Sequence, residues 1–313
     1  MPKHTNTKWQ KKGLLVKPDS AIYWMSVYVG PSFLYFLKDD NFVIYLTGRD
    51  KKNISRIGRA YGSFLDGKLI INKIEKNVIF DVGDPGCFDE NGVSYPWLIF
   101  KKNKILMYYV GWVSGGLTRF QNFTGLAISD NNRNFYRYSK VPILDRNSSE
   151  PFGSGSCAVI KINNGYQMLY TSFVSWIKSN KSDRNYDPRY NLKYATSRDG
   201  INWKRTNNIS IKCIDNEIVI GKPSILKLKN KLKVWYSFRG KSYRIGFAEG
   251  KSLLKLHRKD KLANIDTSKA GWDSKMIEYA HVVEHKSYQI MIYNGNEFGK
   301  TGLGYAIRMI NDK

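Results

Sequence analysis

Five carboxylates stand at comparable points along the chain, each just ahead of or inside the start of an apolar run. They are Asp89 in "CFDENGVSYP", Glu150 in "SSEPFGSGSCA", Glu217 in "IDNEIVIGKP", and Asp273 with Glu278 in "GWDSKMIEYA". Carboxyl groups brought together, one protonated and one ionised, perform general acid–base chemistry. The pair Arg49-Asp50 in a "GRD" turn could hold a hydroxyl or carboxylate by charge-assisted hydrogen bonds. His281 could be an acid, a base or a ligand contact. Asn294 and Asn296 form a polar turn, and Tyr28, Trp112 and Trp176 offer flat faces for ring stacking. Each has a plainer reading: Asp89 in "DENG" suits a turn, Glu150 a solvated loop, Arg49-Asp50 a local salt bridge, His281 a hydrogen-bonded core, and the aromatics packing. Glu217, inside an apolar run, needs either a partner or a polar cavity.

The elements that position these groups repeat. Pro31, Pro96, Ala158, Pro223 and Ala280 each sit in a strand-like run, and their separations are 65, 62, 65 and 57 residues. A second apolar run follows each anchor, with Tyr45, Tyr109, Tyr170, Tyr236 and Tyr293 lying 14, 13, 12, 13 and 13 residues beyond it. A third run ends on Ala60, Ala127, Ala195, Ala248 or Ala306. Glycine stands two positions before four of these alanines, whereas Lys193 takes that place in "LKYATS". Outer runs follow as "KLIINKI", "FYRYSKVPIL", "NWKRTNNISI" and "LLKLHRK"; the fifth repeat lacks one, and "KWQKKGLLV" from Lys8 resembles the missing piece.

Such self-similarity at a fixed period marks a repeat architecture. Short β-rich runs between turn signals, with no long amphipathic helix, predict an all-β five-bladed propeller with four-stranded antiparallel blades, the last closed by the N-terminal strand. The expected organisation is a single domain over 1-313, with blades at roughly 20-80, 86-146, 149-212, 215-262 and 270-313 plus strand 8-16. Residues just before each anchor should gather at one mouth of the central channel. Ser26, Tyr28, Asp89, Glu150, Glu217 and Asp273 or Glu278, joined by Arg49-Asp50 and Asn294-Asn296, would then form one acidic pocket rimmed by Arg49.

With 42% hydrophobic and 14% aromatic residues the chain can fill a sizeable core. Cys87, Cys157 and Cys213 form no CxxC pair and suggest neither disulfides nor zinc. No metal or cofactor is implied. No run is long enough to span a bilayer and the N-terminus lacks a signal-peptide core, so a cytoplasmic location is expected. The net charge of +25 would attract polyanions, yet the basic residues are spread along the whole chain. The aromatics suit blade cores better than a nucleic-acid stacking surface, and no nucleic acid partner is expected.

The period, the segment "ATSRDGINW", the Arg49-Asp50 pair and the acid-led inner strands resemble the five-bladed propeller glycosidases: arabinanases and xylosidases, invertases and levansucrases, and mannoside phosphorylases. "GWDSKMIEYAHVV" with "MIYNGNEFGKTGLGYA" is more closely similar to uncharacterised glycosidase-like propellers of bacterial surface polysaccharide gene clusters. The resemblance implies a glycan-active enzyme with two carboxyls flanking the scissile bond. It makes Glu150 the general acid and Asp89 the group that tunes its pKa, and Glu217 is an alternative acid or base. Tyr28, Arg49, Asp50, Trp112, Asp273, Glu278, His281, Asn294 and Asn296 would bind substrate, a carbohydrate or nucleotide sugar, anionic ones included. The blade-one acid of the family is missing, since "YWMSVYVGP" offers Trp24, Ser26 and Tyr28 there and Asp19 lies upstream. Two alternatives follow from that gap. One is a phosphorylase or transglycosylase whose anion cradle is Arg49, Lys222, Arg239 and Arg244; the other is an inactive propeller that binds a glycan or nucleotide sugar.

Overall fold

The computed structural model describes residues 8–131, 133–178 and 186–310. Twenty strands make up nearly all of its regular structure, with short 3₁₀ turns at Tyr23–Met25, Asp260–Ala263 and Asn296–Gly299. Strands β2 (Tyr28–Phe36), β3 (Asn41–Arg49), β4 (Ser55–Leu65) and β5 (Lys68–Ile74) form an antiparallel meander. The next meander is β6 (Gly92–Phe100), β7 (Ile105–Ser114), β8 (Phe120–Ser129) and β9 (Tyr136–Arg137). One parallel bridge, Ser55 to Gly92, joins these two into an eight-stranded sheet.

Two further four-stranded meanders follow. The first is β10 (Ser154–Ile162), β11 (Gly165–Lys178), β12 (Tyr186–Ser197) and β13 (Lys204–Ile211); the second is β14 (Val219–Lys227), β15 (Leu232–Arg239), β16 (Tyr243–Ser252) and β17 (Lys255–Arg258). The final sheet is β18 (Glu278–His285), β19 (Tyr288–Asn294) and β20 (Leu303–Met309), completed by β1 (Gln10–Val16) from the N-terminus. The leading strands pack in a closed ring, β2 on β6, β6 on β10, β10 on β14, β14 on β18 and β18 back on β2.

N-terminal closure has its own fastening. The indole of Trp9 donates to the Ala263 carbonyl and meets Trp235 edge-on, while the Arg308 guanidinium lies 4.3 Å from the Trp9 ring centre. The ammonium of Lys11 bonds Asp273 at 2.7 Å. Trp9→Ala should therefore cost about 3–5 kcal/mol, the usual loss for a large buried aromatic, read as a lower thermal midpoint; an unchanged midpoint would show that closure does not depend on it.

Four of the five anchors fall in β-bulges; the third, Ala158, is regularly paired with Leu169 just past its repeat's bulge. In each leading strand two residues oppose one on the second strand: Gly30-Pro31, Tyr95-Pro96, Gly155-Ser156, Lys222-Pro223 and Tyr279-Ala280. A bulge re-aims the side chains around it. Tyr95, Lys222 and Tyr279 adopt left-handed φ values of 56°, 49° and 58°, unusual for residues other than glycine. Their amides are held by hydroxyls of the preceding repeat: Thr47 to Tyr95 at 3.1 Å, Ser156 to Lys222 at 3.0 Å and Ser237 to Tyr279 at 2.7 Å.

No helix among the described residues is long and apolar enough to cross a membrane.

Candidate active site

A cavity of about 650 Å³ opens where the bulged ends of the leading strands converge. All five repeats contribute to its lining, among them Arg49, Trp112, Asp187, Lys222, Arg239 and Tyr279. Tyr95, Lys222 and Tyr279, the three residues with left-handed backbone, all face it, so backbone strain coincides with the candidate site.

Glu278 lies behind the cavity wall, next to the lining residue Tyr279 and not itself on the lining; it takes the first position of β18, immediately ahead of the last bulge. The corresponding positions in the other repeats are Val29, Ser94, Ser154 and Gly221. Glu278 is fully buried, and neither carboxyl oxygen makes a hydrogen bond of good geometry. Burial pushes its pKa well above the ordinary range; the Tyr279 hydroxyl and the Arg239 and Arg49 charges pull the other way and do not offset it. Burial likewise raises the phenols of Tyr28 and Tyr243 beside it. The raised pKa favours the protonated carboxyl among these tyrosines, the condition of a general acid. Asp187 is a second carboxylate on the cavity wall, bonded to Arg119 at 3.1 Å.

Arg49 and Arg239 face the same space. The Arg49 guanidinium lies 4.4 Å from the ring centre of Tyr28 and 5.8 Å from that of Trp112, and donates to Asn53 at 3.2 Å. Arg239 lies 5.4 Å from the Tyr243 ring centre, with its Nε buried and unpartnered. Lys222 is buried, and its ammonium reaches only the Ala280 carbonyl, at 3.3 Å. Burial lowers its pKa to about 7. Between about 7 and the ordinary 10.5 the unfolded chain holds a proton that the folded chain releases, so folding gains stability as pH rises through that window. Lys222→Met should remove this rise in thermal midpoint; a variant tracking the native protein from pH 7 to 10 would show that the amine stays charged.

The structure places the expected catalytic acids away from the cavity lining and not together in one pocket. Asp89, Glu150 and Glu217 do not line the cavity. Asp89, with no exposed surface, takes the Tyr109 hydroxyl at 2.9 Å and Arg137 of β9 at 2.8 Å. Glu150 takes Tyr170 at 3.0 Å, Ser172 at 2.7 Å, Lys193 at 3.1 Å and Arg205 of β13 at 3.1 Å. Burial raises Glu150, but the Ser172 and Lys193 contacts, with Tyr170, outweigh it and hold the carboxyl below its ordinary range. An ionised, fully bonded carboxylate has no proton to donate. Glu217 is gripped bidentately by Arg258 of β17 at 2.8 Å, and Arg258 also pairs with Asp260, which takes Tyr236. Asp273 repeats the arrangement with Tyr293 at 3.0 Å and Lys11 of β1 at 2.7 Å.

Asp89, Glu150 and Asp273 share one device: a carboxylate joins the second-strand tyrosine to a base on the outer strand; in the fourth repeat Asp260 takes that place, and Glu217 shares its Arg258. Gly125 and Gly246, two before their third-strand alanines, make room for it, whereas Gly58 and Gly304 lie against Trp24 and Trp272. A Cβ at Gly125 would strike Phe88 and Tyr109, and one at Gly246 would strike Tyr236 and Asp260. Lys193, the exception, fills that place with its own ion pair to Glu150. The expected acidic pocket is accordingly replaced by a cavity whose exposed charges are mainly cationic.

The remaining candidates divide. Arg49 and Trp112 line the cavity, with Tyr28 beneath Arg49. Asp50 is a correction: it does not orient Arg49 but caps its own turn through the Lys52 and Ile54 amides and pairs with Arg56 at 2.7 Å. His281 is a buried packing residue, accepting from the Leu34 amide at 3.3 Å and lying between Phe33 and Trp97; burial keeps it neutral. Asn294 ties β19 to the Val29 and Gly302 carbonyls, and Asn296 organises the 271–276 loop. Trp176 packs on Phe120 and Phe173. Of the proposed cradle, Lys222 and Arg239 reach the cavity, whereas Arg244 pairs with Asp266 and the Lys275 carbonyl. Asp187, Tyr95, Tyr243 and Tyr279 were missed. For Tyr95 and Tyr279 the signal in sequence is the aromatic residue directly before a bulge anchor, as in "SYP" and "EYA"; Asp187 and Tyr243, at the starts of third strands, carry no such signal.

The fold is that of the glycosidase-like propellers. It superposes on a structure described as a GH130 mannoside phosphorylase-family glycoside hydrolase that targets β-1,2 mannosidic linkages in Candida mannan, with TM-score 0.74 and 16% identity over 99% of this chain and 96% of that one. A glycosyl hydrolase from Bacteroides ovatus gives TM-score 0.70 at 14% identity, covering 98% and 92%. A thermostable family-43 glycoside hydrolase gives 0.63 at 15%, covering 91% and 90%. No family model matches the sequence. Sequence similarity is narrower: this protein belongs to the family of the uncharacterized proteins Rv1502 and MT1551 of Mycobacterium tuberculosis, each 30% identical over 96% of this chain and 98% of its own length.

Proposed function

We propose that this protein is a glycan-active enzyme that cleaves or transfers a glycosidic bond, with Glu278 as its proton donor. The observation that carries the reading is a fully buried carboxyl without a well-formed hydrogen bond, its pKa raised by burial, next to the lining of an aromatic and cationic cavity of sugar-binding size. Glu278 gives its proton to the leaving glycosidic oxygen as the anomeric C–O bond breaks and that oxygen takes the electron pair. The nucleophile, water or phosphate, attacks the anomeric carbon, and Asp187 is the carboxylate available to accept a proton from water. Tyr95, Tyr243, Tyr279 and Trp112 supply faces and hydroxyls for the sugar.

In the same reading the eight-stranded sheet is two blades joined by the Ser55–Gly92 bridge, which makes five blades in a single domain. The resemblance to propellers of surface polysaccharide clusters supports a role in that metabolism. Incubation with a panel of oligosaccharides and activated aryl glycosides, with and without phosphate, tests the proposal. Release of sugar or sugar phosphate is expected; saccharide binding with no product after long incubation would leave a binding propeller instead.

A further inference from the structure

The cationic lining sets a requirement that the protein does not meet from its own residues. Arg49 and Arg239 border one cavity, and neither forms an ion pair among the described residues. Their neighbours are aromatic faces and, for Arg49, the neutral Asn53 side chain. Stacking on Tyr28, Trp112 and Tyr243 fixes the planes of the guanidinium groups and leaves their edges to donate. The Nε of Arg239 is buried with no acceptor, a costly state for a charged donor. Glu278 lies near enough to feel both charges without bonding either. Buried carboxylates elsewhere are matched, Asp89 with Arg137, Glu150 with Lys193 and Arg205, Asp273 with Lys11. Arg308 is a further buried guanidinium without an ion pair among the described residues, but it is covered by the Trp9 ring and bonded to Gln289, whereas Arg49 and Arg239 face an open cavity.

We infer that the space between Arg49 and Arg239 binds an oxyanion, a carboxylate or phosphate group, so that the ligand of this cavity is an acidic or phosphorylated sugar, or a sugar together with free phosphate. The inference rests on the glycan reading given above and narrows it. The geometry favours a planar or tetrahedral anion because two guanidinium edges donate to several oxygens at once, which a hydroxyl cannot match. Glu278, being neutral, does not compete for that position.

Binding measured by calorimetry separates this from the reading it rests on. Matched probes are D-glucose with D-glucuronic acid, D-galactose with D-galacturonic acid, and inorganic phosphate alone. At least one oxyanion probe should bind about tenfold or more tightly than its neutral counterpart or, for phosphate, than glucose, as expected for charge-assisted bonds to arginine. Arg49→Gln and Arg239→Gln should each erase that advantage, with Arg49→Lys and Arg239→Lys as charge-retaining controls for folding. An advantage for the uronic acids assigns the charge to the sugar; an advantage for phosphate alone assigns it to a co-substrate, and both support the inference. Binding no tighter for any oxyanion than for the neutral sugars, or an advantage that survives both Gln variants, would overturn it. Phosphate held by the arginines with no saccharide bound and no product from any glycan would instead remove the glycan reading and leave the oxyanion site standing.

Discussion

Replacing Glu278 by Gln lowers turnover of the eventual glycan by about 10²- to 10⁴-fold, the usual contribution of a positioned general acid. The substitution keeps shape and removes only the transferable proton. A structural role and an acid role then separate by leaving group. A dinitrophenyl glycoside, whose departing oxygen needs no proton, should lose far less than an unactivated sugar. The pH profile gives the same discrimination. Because burial raises the Glu278 pKa, the native enzyme should keep its proton, and its activity, well above the ordinary 4.5, then lose activity as pH rises through the folded value. The Gln variant lacks that limb.

The stability contribution of Glu278 is lost over the same rise in pH as the activity. A carboxyl with a raised folded pKa contributes most below its unfolded value of about 4.5, and this contribution is lost as pH rises through the folded pKa. The thermal midpoint of Glu278→Gln relative to the native protein should therefore climb with pH across that window. Equal loss on activated and unactivated substrates, together with a midpoint difference flat in pH, would refute the proton-donor assignment.

The repeat was legible because each turn of it is a packing requirement. Four anchors mark bulges, Tyr109, Tyr170, Tyr236 and Tyr293 are buried against carboxylates, and the glycines leave room for an aromatic ring, so spacing in the chain maps onto spacing in the sheets. Strand β5 coincides with "KLIINKI", and the N-terminal "KWQKKGLLV" does supply the outer strand β1. The site was harder to read for the same reason. Acids that recur from repeat to repeat, such as Asp89, Glu150 and Asp273, recur because those blades use the same clamp. The residue proposed as proton donor breaks the pattern: Glu278 stands where other repeats carry Val29, Ser94, Ser154 or Gly221. Sequence does not say which of two acids five residues apart, Asp273 or Glu278, meets a base and which meets a cavity. Only the bulge settles that, by turning Tyr279 and its neighbours toward the channel.

Glu150→Gln gives the complementary result: a protein that is much less stable and whose folded fraction works normally. Removing the carboxylate leaves Lys193 and Arg205 without their counter-ion and weakens the bonds from Tyr170 and Ser172. Breaking a buried pair on one side costs about 3–5 kcal/mol. Arg205→Met added to Glu150→Gln should recover part of the loss, because it withdraws one of the two stranded charges. The pH dependence has a definite sign. Glu150 is held below its ordinary pKa of 4.5, so its stabilisation is complete above that value and is lost as pH falls through the folded pKa; native and variant midpoints should converge in acid. Active-site titration with a tight ligand, or turnover normalised to the folded fraction, reports the activity. A stable Glu150→Gln protein with no turnover would return Glu150 to the catalytic role implied by the family resemblance. A destabilised protein with full turnover per folded molecule assigns it to the blade clamp, and leaves Glu278 as the carboxyl that carries the proton.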